Sequence, residues 1–150
     1  MLHIIAVTDS HSHFRESIGE YTSRLKGDAE LKHIKPESSR DPVVIRRKES
    51  TRIREYLEKT KGFVIYCDVI GEPISTEQLS GLIERLKNSH PHIIFLIAGA
   101  YGIDETILGP HINHRISFSP MTFPHSLALL ILLEQLYRTE QIRKNTGYHH

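Results

Sequence analysis

The stretch Ile93-Ile94-Phe95-Leu96-Ile97-Ala98-Gly99-Ala100-Tyr101-Gly102 decides the fold, because it joins a fully apolar run to a turn rich in small residues. A short apolar run with many branched side chains is typical of a strand buried on both faces of a parallel sheet. Phe63-Val64-Ile65-Tyr66-Cys67 is a second such run, and a polar end from Asp68 to Gly71 follows it. These two strands predict an α/β fold built on a parallel sheet.

The rest of the chain alternates strand patterns with helix patterns. Further strands are predicted at 2–7, at the weakly alternating edge segment 29–35 and at 114–119. Helices are predicted at 14–25, at 43–61, from Ser75 onward, and from Pro124 to about Arg143. Ser75 and Gln78 have the spacing of a capping box, and Pro124 suits the first turn of a helix. We therefore expect residues 1–150 to form a single domain of five strands and about five helices.

Composition excludes several classes of protein. Of the 150 residues 39% are hydrophobic and 25% are charged, which argues against a disordered chain. The longest apolar stretch, Leu127 to Leu133, is too short to cross a membrane, and the N-terminus lacks the pattern of a signal peptide. A lone cysteine, Cys67, cannot form an internal disulfide, which fits a reducing cytoplasm. We expect a cytoplasmic protein without a membrane partner.

Charge is informative only locally, because the net charge is +1. Between Lys35 and Lys61 nine lysine and arginine residues stand against five acids. Such an excess suits a polyanion such as RNA, and a solvated helix face explains it equally well.

The last predicted helix is apolar on all sides from Leu127 to Leu133. A helix of this kind must be covered all round. We expect a homodimer with this helix in the interface; a central helix buried within one chain is the alternative.

Two histidine patterns and the cysteine are weak candidates for chemistry. His11 and His13 follow the first strand, as metal-binding histidines do in amidohydrolase barrels, but 150 residues cannot build a barrel of about 250. They are interpreted as solvated turn residues, and no metal site is expected. Cys67 lies in an apolar strand and is interpreted as a core thiol.

Three segments at strand ends are stronger candidates, because open α/β sheets bind ligands beyond the carboxyl ends of their strands. They are 66–71, 97–102 and 117–124. Taken singly, each is also explained as a polar strand cap, a tight turn or an ordinary helix start. None contains a Walker lysine or a complete Gly-x-Gly-x-x-Gly run, so phosphate binding is poorly supported. Glycine turns beside Phe118, Met121 and Phe123 instead suit a ligand such as S-adenosylmethionine, which carries no phosphate.

Several motifs together resemble one family in order and spacing. They are Asp68-x-x-Gly71, Ile97-x-Gly99-x-x-Gly102, Ser117 to His125, Leu133 to Arg138, and the terminal Tyr148-His149. The resemblance is to the ribosomal RNA large subunit methyltransferase H family of small SPOUT-class enzymes. It implies a parallel-sheet α/β/α fold with a C-terminal trefoil knot and a homodimer. It also implies methyl transfer from S-adenosylmethionine to N3 of a pseudouridine in 23S rRNA, on the assembled ribosome.

The resemblance also assigns site residues. The cofactor-binding residues would be Cys67, Asp68, Gly99, Ser119, Pro120, Met121, Thr122, Phe123 and Pro124. The substrate-binding residues would be Arg138, Tyr148 and His149. Any catalytic base is expected to be His149 or a water molecule, because N3 of a uracil-type ring must lose a proton. His125, at a helix start, is interpreted as structural.

Two positions depart from the family pattern. Ala98 stands where the family has the first of two glycines, and it would be strained if that position needed a positive φ. The last residue is His150, where the family has a basic residue, so one ribosome contact is expected to be weaker or dependent on pH. A non-catalytic ribosome-binding protein and a SPOUT enzyme acting on another RNA remain the alternative functions.

Overall fold

A computed structural model describes residues 1–9 and 13–150. The described strands are β1 (Leu2–Val7), β2 (Ala29–Ile34), β3 (Phe63–Pro73), β4 (Ile93–Ile97) and β5 (His114–Ser117). The described helices are α1 (Arg15–Arg24), α2 (Pro42–Lys59), α3 (Thr76–Lys87), α4 (Glu105–Leu108) and α5 (His125–Lys144), with a 3₁₀ turn at Gly109–His111. His11, considered above as a turn histidine, lies outside the described residues.

Local signals account for several helix starts. Ser75 and Gln78 form the predicted capping box, in which each side chain bonds the backbone N–H of the other residue. Asp41 caps α2 by accepting a 2.9 Å hydrogen bond from the N–H of Val43. Pro42 follows at the first helical position, where its missing N–H costs nothing.

The strands form one parallel sheet in the order β2-β1-β4-β3-β5. The predicted edge position of β2 and the parallel α/β sheet are confirmed. Because every strand runs in the same direction, all five carboxyl ends lie at one edge of the sheet. Ligands of open α/β folds bind at this edge.

Helices cover both faces of the sheet, so the fold is an α/β/α sandwich. Alternate side chains of β4 divide between the two layers: Phe95 packs with α1, α3 and α5, and Leu96 packs with α2 and α4. This alternation is why the run 93–97 is apolar throughout. No helix among the described residues is long and apolar enough to cross a membrane.

Three predicted boundaries were wrong. β3 continues to Pro73 rather than ending at Cys67, and its pairing with β5 is interrupted between Cys67 and Glu72. Gly71 makes this extension possible, because a Cβ there would lie 2.7 Å from the carbonyl carbon of Ile116. β5 ends at Ser117 rather than at 119, and Pro124 is the N-cap of α5 rather than its first-turn residue.

Helix α5 is buried on one face only. Leu129, Leu132 and Leu136 have no exposed surface. Leu127, Leu130 and Ile131 lie on the other side, half-buried, beside Tyr21 of α1. Leu127, Leu130 and Ile131 thus form an apolar stripe on α5 that this chain covers only in part. A partner chain over this stripe stays a prediction.

A buried ion pair links α3 to α5. Glu140 is 2% exposed and binds Lys87 at 2.5 Å and Arg143 at 2.7 Å. The hydrogen bonds from these two cations outweigh burial and hold the pKa of Glu140 below its usual 4.5. A carboxyl group whose pKa is lowered by folding stabilises the fold above pH 4.5, and this stabilisation is lost as pH falls through the lowered pKa.

Replacement of Lys87 by methionine is expected to lower the free energy of unfolding by about 1–3 kcal/mol at pH 7, because a buried carboxylate loses one charged donor. The difference from the unsubstituted protein should be smaller at pH 3 than at pH 7, because the stabilisation by Glu140 is lost as pH falls through its lowered pKa. Urea denaturation at the two pH values measures this. An equal loss at both would show that the charge of Glu140 is not involved.

Candidate active site

A cavity of about 230 Å³ lies at the carboxyl ends of β4 and β5 and beside residues 66–69 of β3, where the first pairing of β3 with β5 stops. Its walls come from the three predicted strand-end segments and from the start of α5. The lining residues are Tyr66, Cys67, Asp68, Val69, Ile97, Ala98, Gly99, Ala100, Gly102, Phe118, Ser119, Met121, Thr122, Phe123, His125 and Ala128. An adjoining cleft of about 360 Å³ shares Val69, Phe118 and Ser119 and adds Pro120. The structure therefore brings the three segments together.

The turn after β4 forms the floor of the cavity. The N–H of Gly102 donates to the carbonyl of Gly99 at 3.1 Å, and Gly102 has a φ of 77° that favours glycine. Ala98 is not strained, because Asn145 is the only non-glycine residue with a positive φ in the described ranges. The backbone strain that the sequence analysis considered for alanine at this position is therefore absent.

The segment between β5 and α5 forms the apolar wall. The Ser117 hydroxyl donates to the carbonyl of Ser119 at 2.9 Å, and the N–H of Met121 donates to the Ser119 hydroxyl at 3.0 Å. These bonds fix a turn that places Phe118 and Phe123 along the cavity. Met121 also lines it, although 70% of its surface is exposed.

The middle of β3 supplies one thiol and one carboxylate. Burial raises the pKa of the Cys67 thiol, so this group is neutral and not a nucleophile at pH 7. Asp68 lies 3.7 Å from the guanidinium of Arg115 on β5, which also binds both carboxylate oxygens of Glu105 at 2.6–2.7 Å. Arg115 is not among the site residues predicted from sequence. A charged side chain within the short strand that follows Glu105 could have indicated it.

Two neighbouring residues at the start of α5, Pro124 and His125, differ in their relation to the cavity. Pro124 caps α5 and does not line the cavity, whereas His125 does, although it was interpreted as structural. Burial lowers the pKa of His125, so its imidazole is neutral at pH 7. A neutral imidazole can both donate and accept a hydrogen bond.

Arg138, Tyr148 and His149 form a separate cluster. The guanidinium of Arg138 stacks 4.9 Å from the ring centre of Tyr148 and lies 3.2 Å from Nδ1 of His149. His149 Nε2 lies 2.9 Å from the carboxylate of Glu77 on α3. None of these residues lines the cavity in this chain. Ala128 is the cavity-lining residue of α5 that is nearest in sequence to Arg138, ten positions away, so Arg138 lies about 15 Å along the helix from the cavity.

Other parts of the described chain offer weaker sites. A larger open groove of about 940 Å³ runs between α1 and the edge strand β2, but side chains of these elements line it rather than strand-end turns. No group of three or more His, Cys, Asp or Glu residues placed to hold a metal occurs within residues 1–9 and 13–150.

The fold and the cavity define a class. A family model described as "Predicted SPOUT methyltransferase" matches residues 1–149, so the chain is a SPOUT methyltransferase by family.

Proteins named "Ribosomal RNA large subunit methyltransferase H" are similar over nearly their whole length. The one from Clostridium botulinum is 36% identical over 144 residues, covering 90% of this chain and 89% of the relative. Those from Clostridium beijerinckii and Ruminiclostridium cellulolyticum are 35% and 31% identical, covering 91% of each chain. The chain belongs to the ribosomal RNA large subunit methyltransferase H family.

Proposed function

We propose that this protein transfers a methyl group from S-adenosylmethionine to N3 of a pseudouridine in 23S rRNA of the assembled ribosome, in the cytoplasm. The observation that carries the proposal is the cavity that the segments 66–71, 97–102 and 117–124 form together, in a chain of this family. The C-terminal segments from β4 to α5 would carry the trefoil knot of the SPOUT class within a single domain, 1–150.

The lining fits the proposed cofactor. Small residues at 98–100 leave the backbone open for hydrogen bonds, and Phe118 and Phe123 offer flat apolar surface to an adenine ring. No lysine or arginine is among the lining residues of the described chain, and Asp68 contributes a carboxylate. This charge pattern suits a cationic sulfonium and disfavours a phosphate. The family resemblance also assigns cofactor binding to Cys67, Gly99, Ser119, Pro120, Met121, Thr122 and Pro124. Of these, Pro120 lines only the adjoining cleft and Pro124 lies at the start of α5, outside the lining.

When bound, S-adenosylmethionine supplies an electrophilic methyl group. The task of the chain is to align the ring nitrogen with that methyl group and to remove the N3 proton. Arg115 holds the Asp68 carboxylate at the rim, where it would orient the cofactor. The base would be His149 or a water molecule.

A second copy of the chain would complete the site. Arg138 of the tail cluster lies about 15 Å along α5 from the cavity of its own chain. An antiparallel pair of α5 helices, joined through their apolar stripes, would bring the tail of one protomer to the cavity of the other. The apolar residues exposed near the cavity, Val69, Ile70, Tyr101 and Met121, also suit contact with a macromolecule.

RNA contact would extend over α2. Among the acids of the basic segment, Glu49 is buried and Glu37 pairs with Arg52 and Lys48. Arg40 and Arg47 are exposed and form none of the described ion pairs, so their charges are available to a phosphate backbone.

Binding of S-adenosylhomocysteine tests the enzymatic function. We expect the thermal midpoint to rise with ligand concentration, because a ligand at 100 times its Kd stabilises the folded state by about 2.7 kcal/mol. Calorimetry should give one site per chain or one per dimer. No shift at millimolar ligand would favour a non-catalytic ribosome-binding protein.

Replacement of Ile131 by glutamate is expected to convert the proposed dimer to a monomer, because it places a charge in the apolar stripe. Light scattering after gel filtration measures the mass. Ser38→Glu, at an exposed position outside the stripe, is the matched control. A dimer that persists in Ile131→Glu would exclude this face of α5 from the interface.

A further inference from the structure

Glu49 is a buried carboxyl group that the proposed reaction does not use. It lies in α2, and only 3% of its surface is exposed. Its Oε2 atom accepts a 2.9 Å hydrogen bond from the N–H of Glu37. Its Oε1 atom is the one buried side-chain oxygen or nitrogen that lacks a hydrogen-bond partner within the described ranges. Orphaned buried polar atoms are rare in folded proteins and call for a reason.

The unpartnered oxygen lies directly behind the turn that forms the cavity floor. A Cβ at position 99 would lie 2.7 Å from Glu49 Oε1 and 3.2 Å from Val7 Cγ1. Gly99 lines the cavity whereas Glu49 does not, so Glu49 contacts this turn from the side away from the ligand. The carboxyl group of Glu49 thus occupies the space that a side chain at position 99 would need.

The neighbouring residue holds the far end of the same turn. The Ser50 hydroxyl, which is fully buried, accepts a 2.8 Å hydrogen bond from the N–H of Asp104. Glu49 and Ser50 thus contact the chain at both ends of the segment 99–104. One turn of α2 sets the position of the cavity floor.

Glu49 also reaches a second strand-end segment. The Glu37 N–H that it accepts belongs to the segment after β2, and the Glu37 side chain pairs with Arg52 and, at 3.7 Å, with Lys48. The carboxyl group therefore joins the basic segment proposed to meet RNA to the turn proposed to hold the cofactor.

We propose that Glu49 is a positioning residue for cofactor binding, which holds the Gly99 turn at the depth where its backbone can meet S-adenosylmethionine. This inference rests on the proposed function. Glu49 acts through the turn and does not touch the ligand. Burial raises the pKa of Glu49 against the opposing effects of the Glu37 N–H and Arg52. Glutamine has nearly the same shape and keeps an oxygen that can accept the Glu37 N–H. Glutamine is therefore a close replacement for it.

Glu49→Ala and Glu49→Gln test the proposal when the KM for S-adenosylmethionine, kcat and the Kd for S-adenosylhomocysteine are measured. We expect alanine to raise KM and Kd at least tenfold and to change kcat at saturating cofactor less than threefold. Glutamine, which can still accept the Glu37 N–H, should stay within threefold of the unsubstituted protein in all three. Glu49→Leu fills the volume without the hydrogen bond and replaces alanine if that variant does not fold.

A second pair of variants tests the contact itself. Gly99→Ala should weaken S-adenosylhomocysteine binding, and the double variant Gly99→Ala with Glu49→Ala should bind more tightly than Gly99→Ala alone. The positioning role would be overturned if the two changes had independent effects on the Kd. It would also be overturned if a folded Glu49→Ala variant lost heat stability but kept an unchanged Kd. Failure of the unsubstituted protein to bind S-adenosylhomocysteine would instead overturn the proposed function.

Discussion

Replacement of Gly99 by leucine is expected to abolish methyl transfer while leaving the protein folded. The new Cβ would lie 2.7 Å from the Glu49 carboxyl group and 3.2 Å from Val7, so either the Glu49 side chain or the turn must move, and the rest of the leucine side chain needs further space. Overpacking of this kind costs about 1–3 kcal/mol of stability. A displaced floor should reduce transfer at least a hundredfold, because an error of about 1 Å in alignment costs roughly that factor.

Labelled methyl transfer to ribosomes measures the activity, and circular dichroism with thermal melting measures folding. Gly19→Ala is the matched control: this glycine lies in α1, and a Cβ there meets no atom within 4 Å. The control should retain full activity. A folded Gly99→Leu variant with normal activity would remove this turn from the cofactor site.

Deletion of Tyr148, His149 and His150 is the second change with a large expected effect. We expect methyl transfer to fall at least a hundredfold while the Kd for S-adenosylhomocysteine changes less than threefold. The reason is that these residues lie outside the cavity that would hold the cofactor, yet they are the proposed substrate-binding end of the chain. Tyr148 packs on Tyr137 and Arg138, and His149 bonds Glu77, so the deletion also costs some stability, which thermal melting measures separately.

Deletion of His150 alone is the control, because this exposed residue makes none of the described contacts of Arg138. It should reduce activity much less than removal of all three residues. A parallel loss of cofactor binding and transfer in the longer deletion would mean that the tail supports the cofactor site rather than the substrate. Unchanged transfer would exclude the tail from catalysis.

The sheet could be predicted from sequence because its central strands have nearly uninterrupted apolar runs. Phe63–Cys67 and Ile93–Ile97 bury side chains on both faces, and this burial leaves an unmistakable pattern. The extension of β3 to Pro73 could not be predicted, because it depends on Gly71 approaching the backbone of Ile116 in a different strand. Such contacts leave no periodic signal.

The candidate site was likewise predictable where it depends on strand positions and unpredictable where it depends on contacts between distant segments. The three segments could be placed together because parallel strands end at one edge, and the structure confirms that they meet there. Arg115 and Glu49 could not be placed, because each joins segments that are distant in sequence. The proposed knot and the proposed exchange of tails depend on the threading of the chain and on a second chain, about which hydrophobic spacing carries no information.

Incubation of the protein with labelled S-adenosylmethionine and whole ribosomes, isolated large subunits or naked 23S rRNA, followed by mapping of the labelled nucleoside, tests the proposed reaction most directly. We expect label in the ribosomal sample, on N3 of a single pseudouridine of 23S rRNA. Label in tRNA or in a uridine, or no label from a protein that binds S-adenosylhomocysteine, would contradict it.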